Sequence, residues 1–345
     1  MRYIGSKVRV ADAILDVVGD PVPGSRFVDG FCGTGVVAER AAGRGWAVTV
    51  NDTLMAATTL AAARMANEAT VPFSNLGGYE DAVRLLDAVA PIEGFLWREY
   101  SPASARTIGI ERRYFTEENA ARIDAMRRQV QQWSDSTLIS GAEERLLLAD
   151  LLATVNSVAN IAGTYGCFLR NFTPSALQAA RVRPRKLFPH QVDVVTYNVD
   201  VLDVPAAERD VAYFDPPYTK RQYAAYYHLL ETVTAGDEPT VGGVTGLRPW
   251  QEKASDYCYK RRALAALLRL LATTPAGRVV LSYSSEGHVA LDDLVLELEE
   301  VGNVEVHPLG GIGRYRPNRT ASTAASRVNE YLVELVKSDV FEAAA

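Results

Sequence analysis

Four consecutive residues, Asp215-Pro216-Pro217-Tyr218, place an acid, two rigid residues and an aromatic at the end of the apolar run Val211-Ala212-Tyr213-Phe214. Two prolines cannot continue a central strand, so this spacing predicts a strand that stops abruptly and presents Asp215 and Tyr218 on a stiff turn. Open α/β sheets bind their ligands at that edge, so both side chains would be presented to a ligand. A second candidate is Val28-Asp29-Gly30-Phe31-Cys32-Gly33-Thr34-Gly35, where glycines between a strand and a helix let a ligand approach backbone N–H groups closely. Alone, that pattern is a weak signal, since a turn needed only for chain geometry can also produce it. Asp52 sharpens it. It follows Gly35 by 17 residues, at the end of the next β-rich stretch, where a carboxylate can accept two hydrogen bonds from ribose hydroxyls. The pair fits NAD and S-adenosylmethionine alike and points to an adenosine-containing cofactor.

The elements that must position these residues follow from periodicity. A strand ending at Asp29, a helix over Val36–Ala42, a strand over Trp46–Val50 and an alanine-rich helix to about Glu68 form a β-α-β-α opening, the start of a parallel, doubly wound sheet. From about residue 71 the alternation gives way to helical patterns at Tyr79–Val89, Thr116–Trp133 and Ala142–Ile161, with Thr116 and the following acids as a capped helix start. Strand signals resume at Val192–Tyr197, Val211–Phe214, Arg278–Tyr283, Val304–His307 and Val328–Val336. The expected fold class is therefore α/β: a Rossmann-like, mostly parallel sheet with a helical insertion. Residues 1–70 and 191–345 form the expected catalytic domain and 71–190 the insertion.

Composition narrows the setting. With 345 residues, 36 Lys+Arg against 42 Asp+Glu and 48% hydrophobic residues, the chain has ordinary globular composition and a formal charge of −6, which excludes indiscriminate polyanion binding. Three cysteines without C-x-x-C spacing and four scattered histidines predict neither a disulfide framework nor a metal site. The charge-free stretch Leu151–Leu169 contains Asn, Gly, Ser, Thr and Tyr and is too polar to span a bilayer, so no membrane association is expected. The start, Met1-Arg2-Tyr3-Ile4-Gly5-Ser6-Lys7, lacks the apolar core of a signal peptide, so a cytoplasmic location is expected.

Taken in order, Arg2-Tyr3-Ile4-Gly5-Ser6-Lys7, Asp29 to Gly35, Asn51-Asp52, Asp200-Val201 and Asp215-Pro216-Pro217-Tyr218 frame most of the chain, and in this combination the sequence resembles the Dam-like family of DNA adenine-N6 methyltransferases. The resemblance implies a seven-stranded sheet of the S-adenosylmethionine-dependent methyltransferase type, with its last strand antiparallel and a target-recognition domain in the insertion. It also implies S-adenosylmethionine as cofactor and double-stranded DNA as partner, and leaves open a cognate restriction or defence system. By the same resemblance Tyr3 and Lys7 lie near the methionine end of the cofactor, Asp29, Phe31, Gly33 and Gly35 around the methionine and sugar, Asp52 on the ribose, and Asp200 and Val201 at its adenine. Two departures are Gly30, where the family usually has Pro, and Val201, where an aromatic commonly packs on the adenine.

The implied chemistry requires no histidine or thiol. Adenine's exocyclic amine is a poor nucleophile because its lone pair is delocalised into the ring. If the Asp215 carboxylate and the Pro216 carbonyl each accept one N–H, the lone pair turns outward and developing positive charge is stabilised. Pro217 stiffens the turn, and Tyr218 offers a stacking face to a base flipped out of the duplex. The same constellation can serve cytosine N4, and a non-catalytic DNA-binding module of this fold and a nicotinamide-dependent oxidoreductase are further alternatives; the Asp-Pro-Pro-Tyr turn speaks against both. DNA contacts are expected from acid-free basic runs: Arg170, Arg183 and Arg185 in the insertion, Lys220 and Arg221 after the turn, and Arg314, Arg316 and Arg319 in a glycine-flanked loop.

Overall fold

The computed structural model describes residues 4–5, 7–312 and 328–338. From the N-terminus it contains α1 (Ala11–Val18), β1 (Arg26–Asp29), α2 (Val36–Gly43), β2 (Ala47–Asn51), α3 (Met55–Arg64), α4 (Tyr79–Asp87), α5 (Phe95–Tyr100), α6 (Ser104–Ile108), α7 (Glu117–Asp135) and α8 (Gly141–Val158). Then come β3 (Val194–Tyr197), β4 (Val211–Phe214), α9 (Tyr223–Tyr226), α10 (His228–Ala235), α11 (Ala263–Thr273), β5 (Arg278–Ser284), α12 (Leu291–Glu299), β6 (Gly302–Ile312) and β7 (Val328–Lys337).

The chain divides into two compact units. The sheet unit comprises Ser6–Thr53, Val192–Gln222 and the chain from Ala254 onward. Its strands lie in the order β3-β2-β1-β4-β5-β7-β6. Pairing is parallel from β3 across to β5, and β7 runs antiparallel to both β5 and β6. This matches the expected mostly parallel, doubly wound sheet with its last strand reversed. The order turns back on itself between β1 and β4, and such a switch point leaves a crevice at the strands' carboxyl ends. β1 and β4 are paired with Asp29 opposite Tyr213, so Asp29 and the turn after Phe214 emerge at that crevice. β4 is buried along its whole length, as an apolar strand in the middle of a parallel sheet must be. Beneath it Val28, Ala212, Phe214, Leu270, Val279, Leu281, Leu294 and Val333 form a continuous core.

The helical unit comprises Leu54–Gln191 and Tyr223–Lys253, with residues 4–5. It is wider than the 71–190 interval read from sequence, because α3, α9 and α10 share its core with α4, α5, α7 and α8. Thr116 caps α7 by accepting the Asn119 N–H at 3.1 Å. Ser140 and Glu143 form a reciprocal capping box at the start of α8, a signature legible in Ser-x-x-Glu.

Gly30 shows why this chain departs from proline at that position. A Cβ built on Gly30 would lie 2.5 Å from the Phe214 ring and 2.9 Å from a Val201 methyl. Its N–H donates to the Tyr213 carbonyl at 3.0 Å, which proline could not do. Gly30→Ala is expected to destabilise the protein by about 1–3 kcal/mol through overpacking. Gly43→Ala, in α2 with open space around its Cβ, is expected to be neutral or to gain up to about 1 kcal/mol. Urea unfolding midpoints compare the two.

Candidate active site

Every described residue of the predicted cofactor and amine site belongs to the sheet unit. After β1 the chain turns sharply: Gly33 and Gly35 adopt left-handed backbone, at φ 49° and 73°, and Gly35 caps the N-terminus of α2. The Cys32 N–H donates to the Asn51 carbonyl, and the Gly33 N–H donates to Asp52 Oδ2 at 3.2 Å. Asp52 thus stands beside the glycine loop, at the end of β2. Asn51, 1% exposed, ties the crevice together. Its Nδ2 donates to the Gly30 and Val199 carbonyls and its Oδ1 accepts the Val199 N–H.

Asp200 is exposed and caps a short turn over Val201–Asp203 by accepting the Leu202 N–H at 3.0 Å. Val201 is buried against Gly30 and Phe214. The aromatic surface near Asp200 comes from Phe31 and Tyr257, whose rings meet edge to face at 5.4 Å. Burial raises the Tyr257 pKa, and the Asp200 charge raises it further. Tyr257 was not singled out in the sequence because the segment that carries it has no motif.

Asp215 is the centre of a charge cluster. Lys7, 6% exposed, holds its ammonium 3.2 Å from Asp215 Oδ1 and 3.3 Å from Glu330 Oε2, and 5.7 Å from the Tyr218 ring centroid. Burial pushes the Asp215 carboxyl up to about 6, even though the Lys7 ammonium pulls the other way. For Lys7, burial opposes the charged form, but Asp215, Tyr218 and Glu330 outweigh it and keep the amine protonated. Lys7 therefore contacts the Asp-Pro-Pro-Tyr turn directly, at Asp215 and at the Tyr218 ring. Tyr218, pushed up to about 12 by burial, keeps its proton at neutral pH. It is braced by an edge-to-face contact with Tyr283 and by the His288 N–H, which donates to its carbonyl. Pro216, Pro217 and Tyr218 line a shallow apolar recess with Tyr257, Ala263, Leu267 and Tyr283.

Asp29 differs from Asp215 in having no cation among the described residues. The N–H groups of Phe31 and Ala38 donate to it, yet Oδ1 is buried without a partner among them. Burial and the neighbouring charges of Asp215 and Asp52 raise its pKa well above the usual carboxylate range. An orphaned carboxyl oxygen beside a glycine cradle, whose ionisation a neighbouring cation would favour, suits a ligand carrying a positively charged amine, so the residues present fit an amino-acid-bearing nucleoside.

Among the basic residues, Arg170, Arg183, Lys220 and Arg221 are exposed. Arg185 is half-buried, its Nε 2.6 Å from the buried Asp150 carboxylate, so it holds the helical unit together. Tyr3, Arg314, Arg316 and Arg319 lie outside the described residues. No helix among the described residues is long and apolar enough to cross a membrane.

A family model described as D12 class N6 adenine-specific DNA methyltransferase matches residues 3–288. The chain is similar to the Type II methyltransferase M.FokI of Planomicrobium okeanokoites, 34% identical over 345 residues, which is 98% of this chain and 53% of that protein. It is also similar to the Modification methylase StsI of Streptococcus sanguinis, 32% identical over 308 residues, covering 87% of this chain and 46% of that one. The Type II methyltransferase M.NlaIII of Neisseria lactamica is 31% identical over 315 residues, 89% of this chain and 90% of that protein. The chain spans about half the length of the first two relatives.

Asp29→Asn is expected to stabilise the ligand-free protein, and more so as pH rises. A carboxyl whose pKa is higher folded than unfolded binds more protons in the folded state, so stability falls as pH climbs from the unfolded value through the folded one. Asparagine removes that loss. Thermal melts at about pH 5 and about pH 8 should show the gap between variant and wild type widening at the higher pH.

Proposed function

Because the chain belongs to the D12 class N6 adenine-specific DNA methyltransferase family, we propose that it transfers a methyl group from S-adenosylmethionine to the exocyclic N6 amine of an adenine flipped out of double-stranded DNA. The observation that carries this reading is the placement of Asp215, Pro216, Pro217 and Tyr218 as a rigid, cation-supported turn at the crevice between β1 and β4. A methyltransferase family implies a methyl donor of the S-adenosylmethionine type, and the bound donor would supply a sulfonium methyl that is already electrophilic.

Asp29 would hold the donor's amine with its orphaned oxygen, the Phe31–Gly35 loop its methionine and sugar, and Asp52 its ribose. Phe31 and Tyr257 provide the aromatic walls for its adenine that Val201 alone lacks, beside Asp200. Asp215 and the Pro216 carbonyl accept the two N–H groups of the target amine, turn its lone pair outward and stabilise the positive charge that develops on nitrogen. Tyr218, locked against Tyr283, stacks on the flipped base and keeps it in line.

The helical unit, and within it residues 71–190, is the proposed target-recognition domain. Exposed Arg170 and Arg183 there, and Lys220 and Arg221 after the catalytic turn, are the proposed DNA contacts, with Arg314, Arg316 and Arg319 as further phosphate contacts. Arg185 enters this proposal only after its service to Asp150. A cognate restriction or defence system as partner, a reading supported by the words "type II" and "modification" in the relatives' names, and a cytoplasmic location complete the proposal.

Asp215→Ala should abolish transfer, by on the order of a hundredfold or more, while calorimetric affinity for S-adenosylmethionine stays near wild type. Labelled-methyl transfer to duplex DNA followed by nucleoside analysis reads it: N4-methylcytosine as the product would reassign the target, and no product from wild type would leave a binding module. Asp52→Ala should weaken S-adenosylmethionine binding by about 1.5–3 kcal/mol, and an unchanged dissociation constant in a folded variant would make Asp52 structural.

A further inference from the structure

β7 enters the site from beyond the part of the chain that the family model matches, which ends at residue 288. Glu330, on β7 opposite Ser284 of β5, brings Oε2 to 3.3 Å from the Lys7 ammonium, whose other contact is Asp215 Oδ1 at 3.2 Å. One buried ammonium is thus divided between two carboxylates, each 16% exposed. This has a chemical consequence. An ammonium bound to Asp215 alone would compete with the target amine for that carboxylate and weaken it as an acceptor. We propose that Glu330 is a positioning residue which, by sharing the Lys7 ammonium, keeps Asp215 a strong acceptor for the amine that is methylated. The proposal rests on the reading of Asp215 as the amine acceptor.

Among the described residues, the groups facing Asp215 come from five places in the chain. Lys7 comes from the segment before α1, Glu330 from β7, Asp29 from the end of β1, Tyr213 from β4, and Tyr218 from the turn itself. Lys7 lowers the Asp215 pKa and Glu330 raises it, against a carboxyl already pushed up to about 6 by burial. An acceptor poised close to the working pH is the most effective at taking up charge as it develops. The two partners therefore act on Asp215 in opposite directions, and the acid limb of the pH–rate profile is the readout that a merely structural ion pair would not move.

The test is the carboxyl 13C shift of Asp215 as a function of pH, in full-length protein labelled at aspartate and assigned by its loss in Asp215→Asn. Lys7→Met should raise the midpoint by about one unit, and Glu330→Gln should lower it by a smaller step. In parallel, Glu330→Gln should reduce kcat on duplex DNA by on the order of tenfold with KM for S-adenosylmethionine unchanged, while the acid limb of the pH–rate profile follows the 13C midpoint. Glu330→Asp, which keeps the charge but withdraws it by one methylene, should shift the midpoint in the same direction by less, and it stands in if the glutamine variant fails to fold. A midpoint that stays put or rises in folded Glu330→Gln overturns the proposal. If the 13C midpoint moves as expected but the acid limb does not, Glu330 does tune Asp215, and it is the assignment of Asp215 as amine acceptor that falls.

Discussion

Two carboxylates buried at the carboxyl ends of neighbouring parallel strands are the constraint on which the rest of this site depends. Asp29 ends β1 and Asp215 follows β4, and the Asp215 charge raises the cost of ionising Asp29. Burying one charge is expensive and burying two like charges together more so, unless a cation or several N–H donors are supplied. The protein supplies them unequally. Asp215 has the Lys7 ammonium, itself shared with Glu330, whereas Asp29 has two backbone N–H donors and one oxygen left without a partner among the described residues. The first arrangement suits a group that must remain an anionic acceptor through a reaction. The second suits a group completed by a cationic ligand.

The geometry around these carboxylates explains several residue choices that would otherwise look arbitrary. Gly30 is excluded from carrying a side chain by the Phe214 ring, so the departure from proline reflects close packing of β1 against β4. Asn51 is buried because three backbone groups from β1 and the segment after β3 need its amide. Tyr218 is fixed by Tyr283 and by the backbone of His288, and a Cβ on Gly287 would lie 2.3 Å from the Tyr283 hydroxyl, so that turn too is closed by packing. The stiffness that two prolines begin is finished by residues some 70 positions downstream.

Buried acids in the helical unit provide the contrast. Glu231, 2% exposed, accepts the Met55 and Ala56 N–H groups at the start of α3 and pairs with Lys253 at 2.6 Å. Asp124 accepts the Leu96 and Trp97 N–H groups at the start of α5. Asp150 is held by Tyr79 and Arg185. Each has donors suited to its charge and supports a helix end or a side-chain junction, the ordinary use of a buried carboxylate. Burial alone therefore does not mark a functional acid.

The local chemistry was legible along the chain. Val211–Phe214 followed by two prolines could only be a strand that stops, Gly33 and Gly35 occupy backbone that favours glycine, and Thr116 caps the helix it precedes. These follow from short-range sterics and hydrogen bonding, which a sequence states directly. The partners of Asp215 did not follow in that way. Lys7 stands over two hundred residues before it and Glu330 more than a hundred after it. They meet only because the sheet order places β4 between β1 and β5, and β7 beside β5. The same holds for Tyr257, which reaches Phe31 from a segment without a motif, and for Arg185, which looked like a free cation until Asp150 was placed against it. The residue types available to the site were determined by sequence alone. Which charges they meet was decided by the tertiary structure, because electrostatic interaction depends on distance and burial, and both are set by strand order rather than by position along the chain.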